Sequence, residues 1–433
     1  MISIDGLANR YMNEADSFHL KVPTLRRIFA QGAHATGVRG VFPTVTYPNH
    51  TTLITGVAPA KHGIFQNTTL DPQDRNLDGW YWYAEDIRVP TLWDVAAKAG
   101  YPVGSVSWPV SVGARNVSAL VPEYWRAAND EDRKLLRALA TPGLMADLEP
   151  EAGPYITDLN DAVPGDWART HWAAAIIRRK HVRFITVHLA ALDHLEHEAG
   201  PYSPEAFATL EEIDKMVAEI EKTMLAETPD TVMCIVSDHG FAKIDHQLSL
   251  RAAFIKAGLL TVNAAKRQAM APTFTDWKAT PWGTGGSAFV VLKDPKDAAV
   301  RAEVEALLKK LAADPANGID HILDRAEIAR MGAAPNADFA VDMKPGFSIG
   351  ASMDTVSGAI KPGGTHGFSP THPEMRASFF IAGPGIRKGV DIGDIDMRSV
   401  APTLAELMGG SLAGEAPRLD ILLPRLKLTS RLP

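Results

Sequence analysis

The chain has little cysteine, no basic run and no long apolar segment, and each of these absences excludes a class of protein. The single cysteine among 433 residues, Cys234, cannot form an intramolecular disulfide. Between Met233 and Ile235 it is expected to be a small buried apolar residue. The net charge of −7 and the lack of a basic stripe argue against a nucleic-acid polymer as partner. No stretch approaches the roughly 20 apolar residues that a membrane helix needs, so no membrane span is predicted.

Two apolar runs end at an aspartate. The run 2–4 stops at Asp5, and the run 232–236 stops just before Asp238 and His239. A continuous Val/Ile-rich run is typical of a buried parallel strand, and sites in open α/β sheets lie beyond the carboxyl ends of such strands. We therefore expect these three side chains to lie where such sites are built.

A third apolar run, 183–189, is followed by Asp193 and His197, and His366 lies in a glycine-flanked turn. Because Asp193 and His197 are four residues apart, one helical turn would place both on the same face. A single aspartate at a strand end is more often a turn or cap residue than a ligand. A single histidine is usually a surface residue, or a core residue whose hydrogen bonds are satisfied. Several such positions together favour metal binding, because buried charge is costly unless it is paired or metal-bound.

The segment 42–56 contains a candidate nucleophile, Thr46. Pro48 is tolerated in the first turn of a helix, so we expect a helix to begin just after Thr46, with the hydroxyl near its positive end. An isolated threonine before a proline is more often a helix cap. With metal ligands nearby, the hydroxyl becomes a candidate nucleophile, because a bound metal ion lowers the pKa of the oxygen.

Taken together, these motifs resemble the nucleotide pyrophosphatase/phosphodiesterase (type I phosphodiesterase) branch of the alkaline phosphatase superfamily. The similar segments are 4–6, 42–56, 193–197, 237–240 and 365–367, and the tail 398–404 is similar to that superfamily's last helix. The resemblance implies an alkaline-phosphatase-like α/β fold, with a mostly parallel central sheet and helices on both faces.

The resemblance also implies two zinc ions and a covalent intermediate. The implied ligands are Asp193, His197 and His366 for one ion, and Asp5, Thr46, Asp238 and His239 for the other. Imidazole and carboxylate ligands without thiolate suit a catalytic zinc site. Hydrolysis of a phosphodiester or phosphoanhydride bond would proceed through a phosphothreonine on Thr46, which water would then release.

The resemblance also implies substrate-binding roles for two further residues. Asn67 matches the family's asparagine that hydrogen-bonds a non-bridging phosphate oxygen, although a loop asparagine in a turn is the other interpretation. Tyr47 follows Thr46 directly, where the monoesterase branch has arginine, and would stack a base or hold an apolar ester group. Other aromatic candidates, each more often an ordinary packing residue, are 80–83, Trp108 and 124–125.

Other functions remain open at this stage. A phosphonoacetate-hydrolase-like enzyme would share the ligands and the threonine, and would differ in basic residues such as Lys61, Arg115 or Lys243. A phosphomonoesterase is another enzyme of the superfamily that the motifs allow. A metal-bearing binding protein without catalytic activity is the alternative from a different class. The presence of every expected ligand together with Thr46 argues against the binding protein. His372, close to His366 in sequence, is a rival ligand.

The order of predicted elements suggests how the chain is divided. Alternating strands and helices predict a parallel sheet over most of it, but a strand at 287–292 and helices at 298–313 and 324–331 interrupt this order. We expect a catalytic core formed by residues 1–258 and 345–433. We expect residues 259–344 to form an inserted α+β cap subdomain.

Substrate, location and assembly are indicated only in part. A small phosphodiester or nucleotide is the expected substrate, and the oligomeric state is not indicated. The first strand is short for a parallel strand, so upstream residues are expected to be missing, and a signal peptide could have been lost with them. Bacterial members of the family are often exported, which implies a periplasmic or secreted location; otherwise the protein is cytoplasmic.

Overall fold

An eight-stranded sheet crosses the centre of the molecule, in a computed structural model that describes residues 1–75, 79–124, 130–155, 163–263 and 272–423. The strands of the amino-terminal part are β1 (Ile2–Ile4), β2 (Ala33–His34), β3 (Gly37–Arg39), β4 (Val103–Val106), β5 (Ala119–Val121), β6 (Phe184–Leu189), β7 (Met233–Val236) and β8 (Ala242–Leu248). Those that follow are β9 (Leu260–Val262), β10 (Phe274–Trp277), β11 (Ala279–Thr284), β12 (Ser287–Leu292), β13 (Ile319–Asp324), β14 (Phe339–Met343), β15 (Gly346–Ile349), β16 (Ser357–Thr365), β17 (Phe379–Ala382), β18 (Val390–Asp391) and β19 (Asp394–Asp396).

Helices occupy much of the remaining chain. The first seven are α1 (Asn9–Asn13), α2 (Pro23–Gln31), α3 (Thr46–Thr55), α4 (Pro59–His62), α5 (Leu92–Lys98), α6 (Asp130–Leu139) and α7 (Leu144–Ala152). The others are α8 (Val163–Lys180), α9 (Ala191–Ala199), α10 (Pro204–Glu227), α11 (Leu250–Lys256), α12 (Ala298–Ala312), α13 (Arg325–Arg330) and α14 (Val400–Leu407). Short 3-10 turns are formed by Ala84–Asp86, Pro315–Asn317, Pro373–Met375 and Met397–Ser399. In the described part of the chain, no helix has the length and apolar character that crossing a membrane requires.

The strand order in the main sheet is β18-β2-β17-β7-β1-β6-β4-β5, and β17 alone among these runs antiparallel to its neighbours. In β1, Ile2 lies opposite Val187 of β6 on one side and Ile235 of β7 on the other. The prediction of a mostly parallel α/β sheet is therefore confirmed. Because β1 lies between β6 and β7, the three strands end side by side at one edge of the sheet.

Apolar residues cover both faces of this sheet. In β7, Ile235 packs into a cluster with α8 and α10, while Cys234 and Val236 point to the opposite face and pack with α3, α5 and α14. Full burial of one such aliphatic side chain stabilises the fold by about 1.5 to 3 kcal/mol. Cys234 is 3% exposed, which confirms the prediction of a small buried apolar residue.

The described residues between 259 and 344 contribute no strand to the main sheet. Here β11, β12, β14 and β13 make a four-stranded antiparallel sheet, and residues of α12 share its apolar cluster. The predicted strand at 287–292 and the two predicted helices are confirmed as β12, α12 and α13. The division of the chain into a core and an inserted cap stays a prediction. A three-stranded sheet of β15, β8 and β16 then leads the chain to His366.

A buried carboxylate in β14 anchors the segment that follows His366. Asp342, 2% exposed, accepts hydrogen bonds from the Ser369 amide (2.8 Å) and from His372 Nε2 (2.9 Å). This bond raises the pKa of His372 above its usual value, and the nearby carboxylates of Asp320 and Glu374 act in the same direction. Both oxygens of Asp342 thus accept hydrogen bonds within the protein, and the position of His372 is explained without a metal ion.

The bond between His372 and Asp342 predicts pH-dependent stability. Because the folded pKa of His372 is raised, its contribution is complete below the unfolded pKa of about 6.5 and is lost as the pH rises through the folded value. We expect the free energy of unfolding to fall more in His372→Gln than in the exposed control His321→Gln, and the loss to be larger at pH 6 than at pH 9. Urea denaturation at the two pH values measures this, and a loss independent of pH would contradict it.

Candidate metal centre

Three neighbouring parallel strands bring acidic residues to one edge of the main sheet. Asp5 follows β1 directly, Asp238 lies two residues after β7, and Asp193 lies in α9 just beyond β6. The Gly6 amide donates a hydrogen bond to Asp238 Oδ1 (3.3 Å), which joins the ends of β1 and β7. A Cβ at Gly6 would meet a Glu196 carboxylate oxygen at 2.7 Å, and its φ of 74° also favours glycine.

The six predicted aspartate and histidine ligands come together at this edge. His239 Nε2 lies 3.4 Å from Asp5 Oδ1 and 3.0 Å from Asp238 Oδ2. On the other side, Asp193 Oδ1 lies 3.5 Å from His366 Nε2, and Asp193 Oδ2 lies 3.4 Å from His197 Nε2. His239 stands between the two groups, because its ring stacks on that of His366 with centroids 3.7 Å apart.

Backbone carbonyls fix the orientation of two of the histidines. His366 Nδ1 donates to the Thr44 carbonyl (3.0 Å), and His197 Nδ1 donates to the Gly364 carbonyl (3.0 Å). A carbonyl oxygen can only accept, so the proton lies on Nδ1, and Nε2 of a neutral ring presents its lone pair toward Asp193. Burial, followed by the nearby positive charges of His239 and His197, holds the pKa of His366 well below its usual value. This is the arrangement of a metal-binding histidine.

Several buried atoms at the centre lack a hydrogen-bond partner within the residues that the structure describes. They are Asp5 Oδ1, Asp193 Oδ1, Asp238 Oδ2 and both ring nitrogens of His239. A buried polar atom without a partner is unfavourable by about 1 to 3 kcal/mol, and more if it is charged. A divalent cation would satisfy these oxygens and Nε2 together, so the residues present fit a metal ion.

The electrostatics of the centre favour a positive charge. Burial raises the pKa of Asp5 well above its usual value, and the negative charges of Asp238 and Asp193 raise it further. Burial would lower the pKa of His239, but the charges of Asp238 and Asp5 outweigh it and raise this pKa to about 9. Burial also opposes ionisation of Asp238, yet the contacts with His239 and His50 hold its pKa well below the usual value.

Thr46 begins helix α3 beside these ligands. The helix has Val45 as its N-cap, and His50, one turn further on, donates from Nδ1 to the Thr46 carbonyl (2.9 Å). The Ser3 hydroxyl lies 2.8 Å from His50 Nε2 and connects the helix to β1. Burial lowers the pKa of His50 to about 3, so the ring is neutral and Nε2 accepts the hydroxyl proton. The first turn of the predicted helix is therefore held against the strand that leads to Asp5.

A cavity of about 280 Å³ lies in front of the ligands. The predicted residues that line it are Asp5, Thr46, Tyr47, Asn67, Asp193, His197 and His366. Asn67 Oδ1 accepts a hydrogen bond from the Tyr47 amide (2.9 Å), which leaves the Asn67 NH₂ group as its other polar group. Trp80 also lines the cavity, with its ring 5.1 Å from that of Tyr47. Asp238 and His239 are fully buried and are not among the residues that line the cavity.

Helix α9, which carries Asp193 and His197, is capped by a residue from another helix. Its N-cap, Ala190, has no polar side chain, and the Asp166 carboxylate accepts from the amides of Ala190 (3.0 Å) and Ala191 (2.9 Å). Arg169 in turn donates to Asp166 at 2.6 Å. Both charged residues are buried, so this ion pair fixes the start of the helix that carries the ligands.

The sequence reasoning missed three polar residues that line the cavity, namely Glu123, His188 and His194. His188 lies inside strand β6, and Glu123 lies two residues after β5, at the same edge of the sheet as Asp5. A charged residue just past a strand end was the signal used for Asp5, and it was equally available for Glu123. His372, the rival ligand, binds Asp342 and is not among the cavity residues. Trp125 lies outside the described residues.

This chain is similar in sequence to several known proteins. Residues 1–369 match the family model described as type I phosphodiesterase / nucleotide pyrophosphatase. Human ectonucleotide pyrophosphatase/phosphodiesterase family member 7 is 22% identical over 447 residues, which cover 100% of this chain and 84% of the relative. Human family member 1 is 22% identical over 253 residues, which cover 55% of this chain and 23% of the relative. The Naja atra venom phosphodiesterase is 21% identical over 427 residues, which cover 94% of this chain and 44% of the relative.

The chain thus spans less than half of the length of several curated relatives that it matches. Among solved structures, human ectonucleotide pyrophosphatase/phosphodiesterase 5 superposes with a TM-score of 0.64 at 17% identity. The superposition covers 96% of each chain. This likeness shows that the fold is shared.

The unpaired buried atoms predict stabilisation by a divalent cation. We expect Zn²⁺ added to chelator-treated protein to raise the Tm, because a ligand at 100 times its Kd stabilises by about 2.7 kcal/mol. Asp193→Asn should lose most of this shift, whereas Asp245→Asn, at an exposed aspartate of β8, should keep it. Thermal unfolding with and without Zn²⁺ measures the shift. An equal shift in Asp193→Asn and the wild type would show that the ion binds elsewhere.

Proposed function

This chain belongs to the type I phosphodiesterase / nucleotide pyrophosphatase family, and on that premise we propose that it hydrolyses small phosphodiesters or phosphoanhydrides with two zinc ions and Thr46 as nucleophile. The observation that carries the proposal is the shared cavity. Thr46, at the positive end of α3, lines the same 280 Å³ space as Asp5 and Asp193, each of which has one buried oxygen, Oδ1, without a hydrogen-bond partner among the described residues.

The proposed ligands are those that the sequence predicts. They are Asp193, His197 and His366 for one zinc ion, and Asp5, Thr46, Asp238 and His239 for the other. Zinc bound there would lower the pKa of the threonine hydroxyl and neutralise charge that develops on the phosphoryl oxygens. The hydrogen bonds from His366 and His197 to backbone carbonyls support these assignments, because they direct Nε2 of both rings toward Asp193.

The residues of the chain have distinct parts in the proposed reaction. In the first step, Thr46 Oγ1 loses its proton and forms a bond to phosphorus while the bond to the leaving oxygen breaks, and the leaving oxygen takes up a proton. In the second step, a water molecule loses a proton and its oxygen bonds to phosphorus while the bond to Oγ1 breaks, and Oγ1 regains a proton. The Asn67 NH₂ group would donate to a non-bridging phosphoryl oxygen, and removal of one such donor slows catalysis by about 10²- to 10³-fold.

The cavity wall supports a diester substrate. Tyr47 and Trp80 form an aromatic side of the cavity, which suits a base or an apolar ester group. Among the described residues that line the cavity there is no lysine or arginine to hold a phosphonate's carboxylate. Of the earlier candidates, Lys61 pairs with Glu415 at 2.8 Å, and Arg115 lines a different cavity. We therefore keep the diesterase in preference to the phosphonate hydrolase.

The location follows from the relatives by analogy. The prefix ecto in their names, and the venom origin of one of them, refer to sites outside the cytoplasm. We propose an extracytoplasmic location for this protein as well. A small phosphodiester or nucleotide is its proposed partner.

Substitution of Thr46 tests the proposed function. With zinc-loaded protein, we expect a nitrophenyl nucleotide diester to be cleaved about a hundredfold faster than nitrophenyl phosphate, a difference of ~2.7 kcal/mol in transition-state stabilisation. Thr46→Ala should lose activity by on the order of 10³ or more, because the substitution removes the hydroxyl that attacks phosphorus. Steady-state kinetics on both esters measures these values.

The matched control is Thr55→Ala. Thr55 lies at the other end of the same helix, is 1% exposed, and donates to the Thr51 carbonyl at 2.7 Å. The control should stay active, so that a loss in Thr46→Ala alone is not a general effect on the helix. Preference for the monoester would contradict the diesterase. Full activity of Thr46→Ala would contradict the nucleophile.

A further inference from the structure

We propose that Glu123 and His188 form a buried positioning pair that fixes the candidate ligand Asp5 relative to the pocket residue Tyr47. The proposal rests on the proposed function, since it concerns the same cavity. All four residues line that cavity, and they come from four separate parts of the fold: the ends of β1 and β5, the interior of β6 and the start of α3.

A continuous chain of hydrogen bonds joins the four residues. The Tyr47 hydroxyl donates to Glu123 Oε1 (3.1 Å), and His188 Nδ1 donates to Glu123 Oε2 (3.1 Å). His188 Nδ1 also lies 3.0 Å from the Ser107 carbonyl, which can only accept, so this nitrogen carries a proton. At the other side of the ring, His188 Nε2 is hydrogen-bonded to Asp5 Oδ2 at 2.9 Å.

These hydrogen bonds determine which oxygen of Asp5 is available to bind a cation. Oδ2 is occupied by His188, whereas Oδ1 lies 3.4 Å from His239 Nε2 and has no hydrogen-bond partner in the described chain. Asp5 would thus bind a cation through Oδ1 alone, with the carboxylate plane set by His188. Outer residues of this kind typically change metal affinity by about 10- to 100-fold when they are replaced.

Glu123 influences the site through the two residues that hydrogen-bond to it, Tyr47 and His188. A carboxylate in the wall of a substrate cavity could contact a substrate directly, but both oxygens of Glu123 already accept hydrogen bonds within the protein. Glu123 is 7% exposed and His188 is 2% exposed, so each needs these bonds to remain buried. The Glu123 amide is held in turn by the Ser111 hydroxyl (3.3 Å). Both are therefore positioning residues for Asp5 and Tyr47.

The test measures zinc affinity directly, by competition with a chelator, in His188→Gln, Glu123→Gln and the double variant. We expect His188→Gln to weaken the affinity of one zinc site by about 10- to 100-fold. Glu123→Gln should weaken the same site, and the double variant should be no weaker than His188→Gln, because Glu123 acts on Asp5 only through His188. Tyr47→Phe, which removes only the hydroxyl at the far end of the chain, should leave zinc affinity unchanged and raise KM for the diester.

His372→Gln is the matched control. His372 is also hydrogen-bonded to a buried carboxylate, at 2.9 Å, but lies outside the cavity, so its replacement should not alter the zinc affinity of the site that contains Asp5. Should His188→Gln fail to fold, as judged by its Tm, His188→Asn takes its place. A purely structural role would lower the Tm of the pair's variants without changing zinc affinity. That result, or additive effects in the double variant, would overturn the proposal.

The two proposals fail in different ways. A wild-type protein that holds zinc but cleaves no diester would contradict the proposed function, and zinc affinity would still decide on the positioning pair. A wild-type protein that cleaves the diester, with variants of unchanged zinc affinity, would overturn the pair alone.

Discussion

Mutual repulsion among three carboxylates, two of them buried and the third partly buried, is the constraint on which the rest of the site depends. Asp5, Asp193 and Asp238 come together because β1 lies between β6 and β7, so that three parallel strands end at one edge of the sheet. Burial and the charges of the other two raise the pKa of Asp5, and the same field raises the pKa of His239 to about 9. Such a group of acids is unfavourable in a protein interior unless positive charge compensates it, and a divalent cation supplies that charge most effectively.

The surrounding fold holds these charges rigid. A carboxylate from α8 caps α9, which carries Asp193, and His50 ties the first turn of α3 to β1 through Ser3. Each support satisfies a backbone or side-chain group that would otherwise be buried without a partner. Most of the polar atoms near the cavity are therefore used inside the protein, and the unpaired ones converge at the centre. A site built in this way has few conformations available to its ligands, which favours precise binding of an ion and a phosphoryl group.

The parts of this arrangement that the sequence predicted are those with a local signal. An apolar run that ends at Asp5 or shortly before Asp238 marks a strand end, and a spacing of four marks the helical pair Asp193 and His197. The pairing of Glu123 with His188 has no such signal, because it joins positions 65 residues apart through the order of strands in the sheet. The cap of α9 by Asp166 was missed for the same reason. Strand β8 was also missed, since its partners β15 and β16 lie about a hundred residues further along the chain.

The central claim is that these carboxylates and histidines bind two metal ions side by side. The most direct measurement is anomalous diffraction at the zinc absorption edge from a crystal of the zinc-loaded protein. The account predicts two peaks, one between Asp193, His197 and His366 and the other between Asp5, Asp238 and His239. Absence of either peak, or zinc bound only by Asp320, Asp342 and His372, where a further acidic group lies, would contradict it.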